Sequence, residues 1–581
     1  MQERSISFAR VSNLWGWVPM HRYAFRTFAC VTTALIGMGP VQAATPGLPG
    51  PADAGRVQQD RETIAPAPIA PGVVPPPQSG PVTEAPAGAE QVTFILKGLI
   101  IDGATVYSPE SLAAPYQERI GQQVTLKEIY AIADAIGAKY HDAGYFLSRV
   151  EVPDQQITKG FVHITVTEGY IGRVDVRGDT KPDAIMRAYM ARITAEKPLS
   201  TQTLESALLR LNDLPGVSFR AVLSAMPDGE KGESLLTLLP QAKSATGSIG
   251  IDNYGSRFLG PQEITASASG SITPLNQTTV SGLVSMPTKE LGFGTLHHTV
   301  TVAPDVTVSA EVGVTRAHPG YTLSSLDIDS TATDVNVSIQ YQWVRQRLEN
   351  LATSLMLEGR NVHSDVLDTP LTREHIRVAR AHVAYDTADA WKGSDVANLT
   401  LSQGIDGLGS SDAGDPDLSR AEAKPDFTKL ELSLSRLQTI DPDWSALMQF
   451  DGQWASGSLY ASEQFGYGGQ NFGRAFDSSE ITGDKGGEAA LELRYDGWRD
   501  LQPVNLEPYA FYDYGFVIND DSSQLRRDSA QSVGAGVRFV TTWGDNGNVG
   551  VALPIDHTEL APLYGGNHSS PRLLMQFSHN F

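Results

Sequence analysis

Cysteine is nearly absent from this sequence, which has a single example, Cys30, in 581 residues. Cys30 lies in an apolar run that follows several arginines and precedes the small-residue pattern "VQAATPG". A basic segment, an apolar segment and a small-residue end are typical of a cleaved export signal. We therefore predict a signal peptide over residues 1–43. The mature chain would then have no cysteine, which suits a bacterial envelope protein that avoids mispairing in the oxidising periplasm.

Long hydrophobic runs are absent beyond the first fifty residues, where nothing approaches the roughly 18 consecutive apolar residues that a membrane-spanning helix needs. Hydrophobic residues make up 41% of the chain. This pattern argues against a helical membrane protein. Basic residues are also few, 44 against 66 acidic ones, and this negative balance argues against nucleic acid as a partner.

Motifs for enzyme chemistry are missing as well. The sequence has no metalloprotease motif, Gly-x-Ser-x-Gly elbow, phosphate-binding loop or cysteine cluster. His297 and His298 are neighbours, so on a strand they would point to opposite faces and could not readily share a metal. The acidic segments "DGLGSSDAGDPD" and "DSSEITGDKGGE" lack EF-hand spacing and are expected to be solvated loops. We therefore predict no enzyme activity, no metal and no cofactor.

A proline-rich linker is predicted over residues 44–90, because its composition cannot bury enough apolar surface to pack. Within it, "ADAGRVQQDRETI" (residues 52–64) could form about three helical turns before prolines stop it. The sequence alone leaves open whether this helix plugs a pore.

Two small α/β units are predicted next, over residues 91–168 and 169–242. In the first, "VTFILKGLIIDG", "FLSRVEVP" and "FVHITVTEG" are predicted strands. Between them "TLKEIYAIADAIGAKYHDAG" is a predicted helix, with a capping box from Thr125 and Glu128 and with Gly144 at its end. The predicted order of elements in the first unit is strand, helix, helix, strand and strand. The second unit repeats this order, and its second helix opens at Ser200 or Thr201. Tandem units of this kind indicate binding modules more than a catalytic domain.

Over residues 243–581 the helical signal gives way to segments with a strict two-residue period. In "VNVSIQYQW", for example, apolar residues from Val335 to Trp343 alternate with polar ones. Such alternation suits a soluble antiparallel sandwich as well as a barrel. The export signal, the length of the all-β region and the aromatic residues near strand ends favour a transmembrane barrel. The predicted fold class is thus α+β repeats followed by an all-β transmembrane barrel of about 16 antiparallel strands.

One stretch of the predicted barrel departs from this alternation. "FGYGGQNFGRAFD" (residues 465–477) gathers four glycines and four aromatic residues around a single basic residue, Arg474. An ordinary extracellular loop with an exposed arginine is one interpretation. A loop that turns sharply and brings its cation close to a wall is the other, because glycine permits both.

The layout of linker, two α/β units and terminal barrel resembles the outer-membrane transporters of two-partner secretion, the family that exports filamentous haemagglutinins and haemolysins. "LLRLNDLPGVSFRAVLSAMPDGEKGES" resembles the end of a second POTRA domain in that family. "GIDNYGSRFLGPQ" resembles the entry to its first barrel strand, and "GGQNFGRAFD" its long sixth loop. The likeness covers nearly all of the predicted mature chain.

The resemblance implies a role for the glycine-rich loop. In the family this loop folds back into the barrel lumen, where its arginine pairs with the aspartate of a Phe-x-Asp motif on a barrel strand. Here the loop motif would pair Arg474 with Asp513 in "EPYAFYDYGFV", since a guanidinium in a narrow lumen needs a carboxylate. Ala475 stands where the family has glycine, and this restricts the backbone after the arginine. The implied loop motif is Gly468, Gly469, Gly473, Arg474, Ala475 and Phe476, and the implied wall motif is Phe511, Asp513 and Gly515.

The chain ends on a strand-like segment whose last residue is Phe581. This ending resembles the signal by which the barrel assembly machinery recognises outer-membrane barrels, by strand pairing at a sheet edge. An aromatic residue in the interfacial belt is the alternative, and both can hold.

The resemblance also implies a function. The chain would lie in the bacterial outer membrane with its POTRA units in the periplasm. These units would capture a large unfolded exoprotein, an adhesin or a haemolysin-like partner, by adding its extended chain to a sheet edge. Two alternatives stay open: an outer-membrane insertase, which typically carries more POTRA units, and a passive porin-like channel, which would not need capture modules. Outer-membrane lipid and the barrel assembly machinery are the other expected partners.

Overall fold

The computed structural model describes residues 48–58, 84–157, 159–178, 181–499, 501–521, 526–557 and 570–581. The predicted signal peptide, residues 1–43, lies outside them. So do residues 59–83 of the predicted linker, including the second half of the helix predicted over 52–64.

The first α/β unit packs one helix against a small sheet of order β2-β5-β4, while β1 and β3 form a separate pair. β2 runs parallel to β5, and β4 runs antiparallel to it. The elements are β1 Thr93–Ile95, β2 Gly98–Asp102, β3 Gln123–Thr125, α1 Leu126–Asp142, β4 Arg149–Glu151 and β5 Phe161–Thr167.

Helix α1 begins and ends as predicted. The Thr125 hydroxyl accepts from the Glu128 N–H, and the Glu128 carboxylate accepts from the Thr125 N–H at 2.7 Å, which completes the capping box. Gly144 follows the helix with φ +87, a conformation that favours glycine. The buried stripe of the helix comprises Ile129, Ile132, Ala133, Ile136 and Tyr140.

Two strand predictions in this unit are wrong in extent. "VTFILKGLIIDG" is two strands, because the chain changes pairing partner between them: Leu96 bonds to Gln122, and Lys97 bonds to Gly160. "FLSRVEVP" gives only the three residues of β4. Its first part turns instead, with the Ser148 N–H donating to the Tyr145 carbonyl at 3.0 Å.

The second α/β unit has two helices over a sheet of order β6-β8-β7, in which β7 is an edge strand. Of the two residues predicted to open its second helix, Ser200 is the cap, since its hydroxyl accepts from the Thr203 N–H at 3.2 Å. The elements are β6 Tyr170–Val176, α2 Ala184–Ala195, α3 Thr201–Asn212, β7 Val217–Ala225 and β8 Glu233–Ala242.

Sixteen antiparallel strands then close into a barrel, which confirms the predicted fold class. A short hairpin, β20 and β21, lies inside one connection and does not join the wall. The strands are β9 Thr246–Asp252, β10 Gln262–Gly270, β11 Asn276–Met286, β12 Leu291–Ala303, β13 Val306–Ala317, β14 Ile328–Arg345, β15 Glu349–Val366, β16 Thr369–Ala388, β17 Gly393–Gly404, β18 Thr428–Thr439, β19 Trp444–Ala455, β20 Phe465–Tyr467, β21 Ile481–Gly483, β22 Lys485–Tyr495, β23 Val504–Ile518, β24 Arg527–Thr541, β25 Asp545–His557 and β26 Arg572–Asn580.

The wall has an apolar outer face and a polar inner face, as the alternation predicted. On β14 the exposed side chains run from Val335 (46%) to Trp343 (59%), while the inward Asp334 is 2% exposed. Exposed tryptophans mark the barrel end where β9 begins: Trp343, Trp391, Trp444, Trp498 and Trp543. Aromatic girdles of this kind lie at the membrane–water interface. Among the described helices, none combines the length and the apolar character required to cross a membrane.

The barrel closes by pairing β26 with β9 over five residue pairs, Gln576–Asn580 against Ser248–Asp252. Phe581 extends this seam, because its N–H and carbonyl both bond to Gly247, at 3.0 and 2.9 Å. A Cβ on Gly247 would lie 2.5 Å from the Phe581 ring. Glycine at this position therefore makes room for the terminal aromatic.

The second α/β unit is fixed to the barrel end where β9 begins. Asp305, in the turn between β12 and β13, accepts from Arg192 at 2.7 Å, and its N–H donates to the Tyr189 hydroxyl at 2.8 Å. In the next turn at this end, Arg345 donates to both carboxylate oxygens of Asp213, at 2.6 and 2.9 Å. Bidentate charge-assisted bonds hold orientation as well as distance.

Glu168 at the end of the first unit generates a testable prediction. Partial burial opposes its ionisation, but hydrogen bonds from Thr105, Val106 and Tyr140 outweigh this and hold the pKa of Glu168 below its ordinary value of 4.5. A lowered carboxyl pKa stabilises the fold above the ordinary value, and this contribution is lost as the pH falls through the lowered one. Glu168→Gln should lower the stability of the first unit by about 1–2 kcal/mol at neutral pH.

The measurement is amide hydrogen exchange at residues 105 and 106. The protection factors of these two amides, which correct for the intrinsic pH dependence of exchange, should be lower in the variant than in the wild type at pH 7. In the wild type they should fall as the pH drops through the lowered pKa of Glu168, and in the variant they should change little. A wild type whose exchange protection is independent of pH would contradict the prediction. Glu110→Gln is the control, since Glu110 is an exposed glutamate of the same unit.

Candidate functional site

The long connection between β19 and β22 folds into the barrel lumen instead of projecting outward. This lumen loop, residues 456–484, contains the glycine-rich stretch and the β20–β21 hairpin. Tyr467 and Phe476 are completely buried, and Phe472 is 6% exposed. They pack with Tyr509 and Phe511 of the inner wall. An aromatic core thus holds the loop against β23.

Arg474 lies directly against Asp513. Its Nη2 and Nε donate to the two carboxylate oxygens, at 2.8 and 3.2 Å, and its backbone N–H donates to Oδ2 at 3.1 Å. The Ser532 hydroxyl also donates to Asp513, at 2.9 Å. The guanidinium stacks 3.5 Å from the centre of the Phe511 ring. The structure therefore brings the arginine of the loop motif together with the Phe-x-Asp of the wall motif.

A second carboxylate, which was not predicted from the sequence, shares this arginine. Glu492 of β22 accepts from Nη1 of Arg474, and also from Arg538 at 2.7 and 2.9 Å and Arg494 at 2.8 Å. The signal was available, since alternation in "EAALELRY" puts Glu492 and Arg494 on one face of the strand. The choice of cross-strand partners could not be read from one segment, because it depends on register.

The glycines of the loop have distinct roles. Gly468, Gly469 and Gly473 have φ values of +118, +124 and +61, which a residue with a Cβ rarely adopts. Gly515 on the wall gives space to the loop instead, because a Cβ there would clash with the Tyr467 ring. Ala475 is not among the residues with positive φ. The residue with a left-handed backbone is Gly473, which precedes the arginine. Alanine at position 475 therefore does not strain the backbone of the loop.

The stretch "DSSEITGDKGGE" is not a solvated loop, so that expectation is wrong. Asp484 is completely buried and pairs with Arg420 of the preceding outer loop. Asp477 and Glu480 both pair with Arg257, in the loop after β9. The loop folds inward, so its acidic side chains meet cations of two other loops instead of water.

The N-terminal segment, residues 48–58, also lies in the lumen. Arg56 donates from Nη1 to the carbonyls of Ala461 and Gln464, at 2.7 and 2.9 Å, and from Nη2 to the Ser479 hydroxyl at 2.9 Å. Gln58 donates to Glu311 of β13 at 2.8 Å. Ala54 and Val57 pack on apolar inward side chains of the wall. The segment fills part of the lumen and touches the lumen loop directly.

A cavity of about 500 Å³ lies beside these two segments. Its lining includes Asp53 and Arg56 from the segment, Gln470 from the loop, and His382 and Asp451 from the wall. A polar cavity of this kind suits water and polar chain better than an apolar ligand. Among the described residues, no group of three or more His, Cys, Asp or Glu side chains is placed to hold a metal.

Comparisons with known proteins agree with this geometry. The family model described as haemolysin secretion/activation protein ShlB/FhaC/HecB matches residues 307–539, and the ShlB-type POTRA domain matches residues 94–169. The heme/hemopexin transporter protein HuxB of Haemophilus influenzae strain 86-028NP is 24% identical over 77% of this chain and 81% of its own. The outer membrane transporter CdiB of Escherichia coli is 25% identical over 83% of this chain and 82% of its own.

The solved structure of CdiB from Escherichia coli shares the fold, with a TM-score of 0.69 and 19% identity over 93% of this chain and all of that one. The matched family models and the named relatives, together with this fold, make the protein an outer-membrane transporter with its N-terminal POTRA domains in the periplasm. The chain is an outer-membrane transporter of two-partner secretion, and its residues 307–539 match the family of haemolysin secretion/activation proteins ShlB/FhaC/HecB.

Substitution of Arg474 should loosen the lumen loop. Arg474→Ala leaves Asp513 with Ser532, and Glu492 with two other arginines, so the loss should be near the lower end for a broken buried pair, about 3 kcal/mol. Hydrogen exchange over residues 466–476 should accelerate in the purified protein. Ala475→Gly is the control and should accelerate this exchange much less, because it removes one buried methyl group and no charge. Equal exchange in the wild type and Arg474→Ala would contradict the prediction.

Proposed function

We propose that the transporter captures an unfolded exoprotein in the periplasm at the free edge of β7 and passes it through the lumen after the N-terminal segment and the tip of the lumen loop move aside. The capture site is inferred from the exposure of this strand at the edge of its sheet. β7 is the outer strand of its sheet, and from Arg220 onward all its residues are exposed.

A contact with Asn212 shows which backbone groups of β7 point away from β8. Its side-chain amide bonds both the N–H and the carbonyl of Phe219, at 2.6 and 3.3 Å. Those groups therefore point away from β8. Backbone direction alternates along a strand, so the N–H and carbonyl groups of Ala221 and Leu223 point outward too. Within the described part of the chain, neither residue has a backbone partner on that side.

The side chains at this edge suit an extended polypeptide. Val222 is 45% exposed and Leu223 41%, one on each face of the strand. An added strand would gain main-chain hydrogen bonds from the edge and apolar contacts on both faces. Main-chain pairing is largely independent of sequence, which suits a long partner without fixed structure. Because the matched family is described as haemolysin secretion/activation proteins, we infer that the cargo is a large adhesin or a haemolysin-like protein.

The position of the edge supports transfer into the barrel. The contacts of Asp305 and Arg345 fix the second unit beneath the lumen, so a captured chain would be held close to the pore. The sequence has no nucleotide-binding motif. We therefore assign the direction of transport to folding of the cargo outside the cell, which would prevent its return.

The ending at Phe581 supports a separate proposal for assembly. Its ring is 73% exposed, and its backbone forms the last pair of the barrel seam. We propose that the barrel assembly machinery recognises this terminal strand by edge pairing before the strand meets β9. The exposed ring then lies in the interfacial belt of the finished barrel.

The capture edge can be tested by Leu223→Pro, which removes an outward N–H and leaves the ladder to β8 in place. Loss of edge hydrogen bonds worth about 1 kcal/mol each, with steric blocking by the ring, should reduce secretion by about tenfold. Secretion of a large exported candidate encoded beside the transporter would be measured in the medium by immunoblot. Leu223→Ala is the matched control, because it loses the same side chain and keeps the N–H.

Two further variants and a conductance measurement distinguish capture of the cargo from its export. Arg474→Ala and a deletion of residues 91–241 should both reduce secretion at unchanged barrel levels. Normal secretion by Leu223→Pro would overturn the capture site, although dedicated export would stand. If the candidate stayed in the periplasm with wild-type transporter while the barrel conducted ions in planar bilayers, a channel would be the better account.

A further inference from the structure

A second ion cluster in the lumen holds the first arm of the lumen loop, on a different part of the wall from Arg474. Its centre is Glu463, the last residue of the short 3-10 helix Ala461–Glu463, and it is completely buried. The Glu463 carboxylate accepts from Arg380 and lies against Lys429, both at 2.8 Å, and it is 3.5 Å from Arg360. These three cations come from β15, β16 and β18.

The wall presents these cations in fixed positions. Glu358 lies 3.0 Å from Arg360 and 2.8 Å from Arg380, and Arg360 also pairs with Asp334. The set then contains three cations and three anions whose side chains are at most 11% exposed, and Glu463 is the anion that the loop contributes. Removal of its charge would leave a buried excess of positive charge, which is costly where water is excluded.

The turn that carries Glu463 is also the turn that binds the N-terminal segment. The carbonyls of Ala461 and Gln464, which flank Glu463, both accept from Nη1 of Arg56. Arg56 is 2% exposed. Two carbonyls converge on one nitrogen only while the turn keeps its shape, and the side chain of Glu463 is its charged attachment to the wall.

We propose that Glu463 is a positioning residue for the N-terminal segment. Its ion cluster holds the turn so that the carbonyls of Ala461 and Gln464 clasp Arg56 and keep residues 48–58 in the lumen. The proposal rests on the proposed function, in which the segment leaves the lumen before the cargo passes. The ion cluster of Glu463 would determine how readily the segment leaves. Seating of the segment can be measured without any cargo, so failure of one proposal is distinguishable from failure of the other.

The loop has attachments that a Glu463 substitution would leave intact. The backbone carbonyl of Glu463 accepts from Gln453 at 3.1 Å, and the Ala461 N–H donates to the Ser419 hydroxyl at 3.0 Å. The tip is held separately by Asp513. Glu463→Gln, which has the same shape without the charge, should therefore loosen the turn and leave the rest of the loop folded.

The test uses thiol labelling of the full-length transporter in proteoliposomes. Cys30 is the only native cysteine, and in a Cys30→Ser background an introduced thiol is read without interference. Ala54→Cys places the probe in the segment at a position that is 1% exposed, where it reacts only when the segment leaves. Glu463→Gln should raise the labelling rate by a hydrophilic maleimide by about tenfold, because a charged hydrogen-bond network is weakened.

Two matched arms decide the interpretation. Glu431→Gln removes a carboxylate that pairs with Lys429 at 3.1 Å in the same cluster, yet belongs to the wall, so labelling of residue 54 should stay unchanged. Ala475→Cys reports on the loop tip, which is 6% exposed, and its labelling should be the same with and without the Glu463→Gln substitution. Unchanged labelling at residue 54, or an equal rise at residues 54 and 475, would overturn the proposal.

Discussion

Closure of the sheet is the constraint on which the rest of this structure depends. Lipid offers no partner to a backbone N–H or carbonyl group, so a spanning sheet must pair every strand on both sides. Sixteen strands do so here, and the last one meets the first through Phe581 and Gly247. The two-residue period then places apolar side chains outside and polar ones inside. The lumen acquires its charges as a consequence of this geometry.

Charges inside a narrow lumen must be paired, and this explains how a loop and a terminal segment come to fill it. The wall presents Asp513 and Glu492 on one side, where Arg474 of the loop binds. It presents Arg360, Arg380 and Lys429 on another, where Glu463 binds. The lumen loop is thus held at two places by charges of opposite sign. Arg56 joins the N-terminal segment to the same loop, at the carbonyls of Ala461 and Gln464 and the hydroxyl of Ser479.

The division between a backbone-bonded wall and side-chain contacts in the lumen fits a transporter that opens without unfolding. The wall is held by long antiparallel ladders, such as the pairing of β15 with β16. The material in the lumen is held by side chains that can exchange partners. Outside the membrane, the second α/β unit is tied to the barrel turns by bidentate arginine–carboxylate bonds. These bonds hold its exposed edge strand at a fixed position relative to the pore.

Much of the architecture could be predicted from local patterns. The capping box of Thr125 and Glu128, the cap at Ser200 and the alternation of the barrel strands each depend on residues close in sequence. The split of "VTFILKGLIIDG" into β1 and β2 was missed, because it follows a change of pairing partner that no local pattern records. The inward course of "DSSEITGDKGGE" was missed for the same reason, since its partners Arg257 and Arg420 lie in other loops.

The sequence by itself determined the periodicity of each element, the polar inner face and the presence of one glycine-rich loop with a single arginine. Only the tertiary structure decided which charges meet. Glu492, Glu463 and Arg56 acquire their partners from strand register and from the path of a loop through the lumen. Burial makes each of those pairings strong, and burial is a property of the closed barrel and not of any segment alone.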